Sequence, residues 1–314
     1  MELIRDKYPF KKNLGGCVAT LGNFDGMHLG HQSLLTRLKY LGQELNLPTV
    51  VIIFEPQPKE FFAKNQAGSR LMRFCEKRTA FQKWEIDLLV CLRFNQALAN
   101  LPPENFIKEI LVDRLGVKAI IVGDDCRFGA KRVGDYLLLK KLGERYFFKT
   151  IVMRPIFYED QRISSSRVRQ ALEKGNLDLA RSLLNHPYWL CGKIISGEKR
   201  GRKLGFPTAN INLHRDKVPL TGIFVIRAYL GNEVFQGVAS LGIRPTFGGT
   251  RMLLEAYLFN FSRDIYGNYL RVEFLYKLRS EEHFMSVNAL VKQMHQDVLE
   301  AKNYFLNEDS IVLF

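Results

Sequence analysis

Cys17-Val18-Ala19-Thr20-Leu21-Gly22-Asn23-Phe24-Asp25-Gly26-Met27-His28-Leu29-Gly30-His31 opens as an apolar strand and closes on the first residues of a helix. Its first five residues, apolar and partly β-branched, suit a strand buried in a sheet. The leucines that follow, Leu34, Leu35, Leu38, Leu41 and Leu45, share one face of a helix that starts near Gly30 or His31. The turn between them carries the free N–H groups of a helix amino terminus to a strand end, which makes an anion site. Gly22, Gly26 and Gly30 let backbone approach a ligand closely, and His28 and His31, three residues apart, project to one side. The plainer alternative is a tight strand-to-helix turn with two surface histidines.

Working outward, residues 50–54, 86–92, 119–122 and 148–152 are further short apolar runs. Phe106, Ile107, Ile110, Leu111 and Leu115 form a helical face between Pro103 and Gly116, the favoured punctuation. This alternation predicts an α/β domain, a Rossmann-like parallel sheet covered on both faces, with ligands at the carboxyl ends of its strands. After about residue 185 the pattern changes. Residues 223–226, 234–238, 253–259 and 270–276 are strands separated by Gly and Asn turns, which predicts an antiparallel β-barrel or sandwich. Val287, Leu290, Val291, Met294 and Val298 recur at helical spacing, so a C-terminal helix is expected to pack on the barrel with this stripe as core. The boundary is expected at Asn185-His186-Pro187, giving domains 1–185 and 186–314.

The 314 residues suffice for two such domains, and 46% hydrophobic residues supply their cores. Five scattered cysteines without C-x-x-C spacing suggest neither a disulfide framework nor a zinc site, and fit a reducing, cytoplasmic setting. No signal-peptide h-region and no membrane-length apolar run are evident, so the protein is expected to be soluble, without a membrane partner. A net charge of +14 attracts nucleic acid or a nucleotide polyphosphate equally. The sequence carries no signal of oligomeric state.

The basic residues cluster locally at Lys199, Arg200, Arg202 and Lys203 in a second glycine-rich tract, 197–210. It is not a Walker motif, because no G-x-x-x-x-G-K-[ST] occurs. Gly197, Gly201 and Gly205 can fold backbone over phosphates, and Pro207 fixes the chain so that Thr208 and Asn210 present oxygens together. Such a pair suits Mg2+, which shares its shell with water and nucleotide phosphates. A basic hairpin is the alternative. Ser164, Ser165 and Ser166 opening a helix, with Arg169 one turn on, make either a second anion cradle or an ordinary capped helix.

These tracts carry a family likeness. Residues 22–31 resemble the nucleotidyltransferase superfamily signature, and their extended G-x-F-D-G-x-H-x-G-H form is similar to the amino-terminal module of bacterial bifunctional riboflavin kinase/FAD synthetases. Ile163-Ser164-Ser165-Ser166-Arg167-Val168-Arg169 resembles the second motif of that family, and Gly123-Asp124-Asp125-Cys126-Arg127-Phe128-Gly129 its G-x-D-F-x-F-G loop. Gly201-Arg202-Lys203-Leu204-Gly205-Phe206-Pro207-Thr208-Ala209-Asn210 resembles the riboflavin kinase signature, and blocks at 237–247, 264–267 and 278–284 follow in family order.

The resemblance implies an enzyme that makes FMN from riboflavin and FAD from FMN, using ATP and Mg2+ twice. It assigns Asn23 and Asp25, with the first loop's glycines, to the nucleotide, as it does Ser164, Ser165, Arg169, Gly197, Gly201, Lys203, Gly205 and Pro207. Asp125 and Arg279 are expected at the flavin, although Asp124 and Asp125 serve equally as turn residues. Glu255 occupies the family's catalytic glutamate position, where a carboxylate accepts the proton of riboflavin's neutral 5′-hydroxyl. FMN's phosphate is already ionised and needs no base, so His28 and His31 are expected to stabilise the α-phosphate and the leaving pyrophosphate. Gln57 stands where the family's F-x-P-H-P has histidine, Cys126 replaces the aromatic of G-x-D-F, and Asn260 sits where aspartate is common. The first two departures bear on adenylylation. Two rival readings are a monofunctional nucleotidyltransferase with a degenerate barrel and a basic RNA-binding protein. Intact Pro207-Thr208-Ala209-Asn210 opposes the first, and the few aromatics near the basic cluster oppose the second.

Overall fold

The computed structural model describes residues 1–7, 15–63, 68–197, 200–246 and 249–311. By contact they form two compact units, 1–68 with 72–165, and 69–71 with 166–314.

The first unit contains β1 (Glu2–Lys7), β2 (Cys17–Leu21), β3 (Thr49–Glu55), β4 (Leu88–Arg93), β5 (Val117–Gly123) and β6 (Lys149–Met153). Between them run α1 (Leu29–Leu45), α2 (Pro58–Ala63), α3 (Phe74–Lys83), α4 (Gln96–Ala99), α5 (Pro103–Asn105) and α6 (Tyr136–Tyr146). The six strands are parallel, in the order β1-β4-β3-β2-β5-β6. Both faces of the central strands are covered, which is why β2 and β3 are apolar at nearly every position rather than alternating. On α1 the leucine stripe does what its spacing predicts: Leu34, Leu35, Leu38 and Leu41 are buried.

Two features differ from expectation. The helix expected across 103–116 winds as a π-helix over Phe106–Val112, a wider turn in which Phe106, Ile107, Ile110 and Leu111 are all buried. And β1, whose charged and apolar residues gave no strand signal, pairs along its length with β4 from the sheet edge, where one face tolerates charge.

A hairpin, β7 (Phe157–Tyr158) and β8 (Gln161–Arg162), and the helices α7 (Ser165–Glu173) and α8 (Leu177–Leu184) lead to the second sheet. There β9 (Tyr188–Ile195), β10 (Thr208–Asn212), β11 (Gly222–Leu230), β12 (Glu233–Thr246), β13 (Gly249–Leu258) and β14 (Tyr269–Arg279) close into an antiparallel barrel, ordered β10-β13-β12-β11-β14-β9. The short α9 (Arg200–Lys203) precedes β10, and α10 (Val287–Ile311) ends the fold. Contact places α8 with the barrel, since it packs on β9 and β14 through buried residues such as Leu183 and Leu184. The boundary expected at 185/186 falls between α8 and β9.

Ile211, Phe224, Leu254, Ala256 and Phe274 are fully buried and fill the barrel. By strand alternation Glu255 and Tyr257 face the opposite way. On that outer face Ala301 and Phe305 of α10 pack with Ile223, Val225, Val238 and Leu275, each large side chain contributing about 1.5–3 kcal/mol. The stripe's Leu290 and Met294 are only half-buried and wall a cavity instead, while Val298 both borders that cavity and packs on the core, which corrects the expectation that the whole stripe is core.

Candidate active sites

The chain leaves β2 for β3 on one side and returns on the other as β5, so the crevice between the carboxyl ends of β2 and β5 is the switch point of the sheet. The loops 22–28 and 124–129 follow those two strands. In the first, Phe24 and Met27 hold positive φ of 46° and 50°, around Gly26 at 94°. Non-glycine residues there cost about 1 kcal/mol or more. Burial of both side chains offsets the strain: the Phe24 ring lies 5.0 Å from that of His31 and 5.3 Å from that of Phe81. Asp25 turns inward. Its Oδ1 accepts the Met72 amide at 2.9 Å and its carbonyl accepts the Ser165 hydroxyl at 2.8 Å, so it anchors the loop to the start of α7. Gly22, Asn23 and Ser164 remain half-buried.

His28 is the N-cap of α1; its carbonyl accepts the His31 amide at 2.8 Å, and its side chain makes no capping bond. The rings of His28 and His31 stack at 3.7 Å with 18° between their planes. Both Nδ1 atoms are buried with no hydrogen-bond partner among the described residues. Burial pushes the His28 imidazole down to about 4, against the opposing pull of Asp25 and Asp125. His31 is driven well below the usual histidine range, first by burial, then by His28 and Lys77. Without ligand the pair is therefore neutral near pH 7.

In the second loop Asp124 takes both ends of the Arg162 guanidinium, at 2.6 and 3.2 Å, and Asp125 pairs with it at 3.0 Å. Asp125, expected at the flavin, is thus an exposed ion-pair partner. The aromatic cavity of this unit lies elsewhere, about 660 Å³ walled by Phe54, Phe62, Phe94, Phe106 and Phe128, and Asp125 does not line it. Its aromatic residues come from separate strands, helices and loops, so no local pattern announces it. Gln57, just past β3, is buried with its Nε2 unpartnered among the described residues, and Cys126 is half-buried against the core. Arg169 belongs to the second unit, where its Nε donates to the Ser69 carbonyl at 2.6 Å.

On the barrel, Asn210 of β10, Glu255 of β13 and Ser240 of β12 stand in one rank across three strands. Thr208, Tyr257 and Val238 form the next rank. All six border a cavity of about 430 Å³ roofed by α10. The preceding loop is moulded to them. A side chain at Gly197 would collide with the Asn210 amide, and the Phe206 amide donates to the Gly201 carbonyl at 2.8 Å. Phe206 is buried, edge-on to Tyr257 and His295. Thr208 also borders a second groove, about 580 Å³, with Arg202, Pro207, Phe261, Arg263 and Tyr266. Glu198, Lys199 and Phe247, and the side chains of Arg200 and Lys203, lie outside the described residues.

Arg279 borders the cavity, yet its Nε and one Nη are committed to Asp297 of α10 at 2.8 and 2.7 Å, a bidentate pair that Gln293 supports at 3.0 Å. Asp297 escaped the sequence reading, and Glu281 and Glu282, which also border the cavity, were read only as part of the block 278–284. A helical Asp gives no signal until its partner strand is known.

A histidine pair at a parallel sheet's switch point and a carboxylate abreast of two neutral oxygen donors are groups suited to phosphate chemistry at two separate places. The class they define is a two-module transferase acting on nucleotide phosphates. Family models agree module by module: FAD synthetase matches residues 10–167 and riboflavin kinase residues 184–305. The bifunctional riboflavin kinase/FMN adenylyltransferase of Haemophilus influenzae is 42% identical, over 97% of this chain and 99% of its own. That of Escherichia coli K12 is 44% identical over 92% and 93%. A Streptococcus pneumoniae structure solved under the name macrolide-efflux protein superposes with a TM-score of 0.81 at 29% identity, over 94% of this chain and 97% of that one. The chain belongs to the bifunctional riboflavin kinase/FMN adenylyltransferase family. Among the described residues, no helix is long and apolar enough to cross a membrane.

Proposed function

We propose that the barrel module phosphorylates riboflavin to FMN and the sheet module adenylylates FMN to FAD, each with one ATP, the functional division falling at 185/186. One observation carries the assignment of the barrel: Thr208 lines both the cavity that holds Glu255 and the groove that holds Arg202 and Arg263. The flavin takes the cavity, ATP takes the groove, and their reacting ends meet at Thr208, Asn210 and Glu255. The 5′-oxygen of riboflavin attacks the γ-phosphorus, the bond to the β–γ bridging oxygen breaks, and Glu255 accepts the hydroxyl proton. Thr208 and Asn210, neutral oxygen donors on one strand face, fit a Mg2+ ion that keeps water and phosphate in its shell. When bound, it supplies charge neutralisation on the phosphates. The close fit of the Gly197 backbone against Asn210 supports this reading, since it holds the amide in place.

In the sheet module a phosphate oxygen of FMN attacks the α-phosphorus of ATP and pyrophosphate leaves. His28, His31 and the amino terminus of α1 donate to the phosphates, and the buried Gln57 amide supplies a donor where the family has histidine. The five-phenylalanine cavity takes the isoalloxazine ring. The scattered cysteines suit a cytoplasmic enzyme.

Incubation with riboflavin, ATP and Mg2+, followed by chromatographic separation of the flavins, is expected to give FMN and then FAD. Riboflavin left unchanged would refute the barrel assignment, and FMN without FAD that of the sheet module. His28→Ala is expected to stop at FMN.

A further inference from the structure

Among the described residues, opposite charges border the two cavities. Among the described residues the barrel cavity is bordered, beside Glu255, by the carboxylates of Glu281 and Glu282 and by the paired Arg279 and Asp297. The exposed Glu281 carboxylate lies over β12 against Gly242, where the missing side chain leaves it room. The phenylalanine cavity is bordered by Lys59, Arg127, Lys131 and Arg132 and, among the described residues, by no carboxylate. Its cationic edge is built. Phe128 and Gly134 exchange backbone hydrogen bonds at 3.0 Å in each direction, and the Ala130 amide donates to Leu101 at 2.7 Å. Between them Lys131 and Arg132 sit in left-handed backbone, φ 53° and 60°, a strained conformation that this pinned loop enforces.

Riboflavin and FMN share a ring system and differ by a phosphate carrying about two negative charges near neutral pH. We propose that the cavities sort flavins by that charge: Glu281 and Glu282 disfavour the phosphorylated flavin in the barrel, whereas Lys131 and Arg132 retain it in the sheet module. This rests on the reading that each cavity takes a flavin. The barrel then discharges its own product, and the sheet module gathers FMN without competition from riboflavin. Charge complementarity of this kind acts on specificity more than on total affinity.

Ionic strength tests this in the unaltered full chain. At saturating ATP, raising salt from about 0.05 to 0.5 M shortens the screening length severalfold. It should raise the KM for FMN in adenylylation and strengthen inhibition of riboflavin phosphorylation by FMN. The two effects have opposite sign. Glu281→Gln with Glu282→Gln should lower the inhibition constant of FMN about fivefold, and Lys131→Gln with Arg132→Gln should raise the KM for FMN about fivefold, the size expected of two partly exposed charge contacts. Constants that do not move, or that move the same way with salt, overturn the sorting. Val238→Trp and Ala99→Trp, which fill the two cavities, test the underlying reading. Unchanged flavin KM values in them would refute flavin binding there; lost flavin use beside unmoved selectivity in the charge variants would refute the sorting alone.

Discussion

Asn210 and Glu255 are direct partners across the antiparallel β10–β13 pair, a metal-suited amide and a carboxylate held side by side by strand register. A one-residue slip of β10 would turn Asn210 and Thr208 into the barrel interior and separate them from Glu255. Glu255→Gln keeps the shape and removes the base. Phosphorylation of riboflavin should fall by about a hundredfold or more, while supplied FMN is still adenylylated. Loss of both activities from a folded protein would contradict the two-site assignment.

Thr208→Val removes one oxygen from the rank nearest the groove. The Mg2+ concentration that half-saturates FMN formation should rise by about tenfold, with no comparable shift for FAD formation from FMN. Magnesium titration of the two reactions separately provides the check, and equal shifts in both would exclude Thr208 as a ligand confined to the barrel.

Asp297→Ala strands the Arg279 guanidinium, which is only 16% exposed, without its bidentate partner. Breaking such a pair should cost about 3 kcal/mol of barrel stability, read as a lower urea midpoint. Pairing the change with Arg279→Met should recover most of the loss, because no buried charge is then left uncompensated. If the double variant is as unstable as the single one, the pair acts through something other than charge.

The histidine stack sets a pH dependence. Burial lowers the folded pKa of His28 to about 4 from an ordinary value of 6.5, so the folded state favours the neutral ring. Its contribution is complete above about pH 6.5 and is lost as pH falls through about 4, amounting to about 3 kcal/mol for this residue. Denaturation of the wild type between pH 7 and 4 should show the loss, and His28→Gln should flatten it. A pH-independent wild type would mean that the buried rings do not oppose protonation.

Much of this protein was legible in the amino-acid order. Apolar runs marked β2 to β6, the leucine stripe marked α1, and the Gly and Asn turns after residue 185 marked an antiparallel sheet, because burial on a strand or helix imposes its own period. The loops 22–31 and 197–210 likewise raised the expectation of phosphate chemistry through glycines, hydroxyls and histidines close in sequence. What stayed hidden depends on contacts between distant segments. Burial, which makes His28 and His31 neutral, is a property of packing; so is the Arg279–Asp297 pair, joining β14 to α10. The half of α10 that packs as core and the half that roofs a cavity carry the same helical stripe, and only the barrel beneath distinguishes them. Periodicity thus determined two modules, and the motifs in their loops, through the family they resemble, implied their chemistry. Tertiary structure decided which residues line each cavity, since desolvation and cross-strand register exist only once the chain has closed on itself.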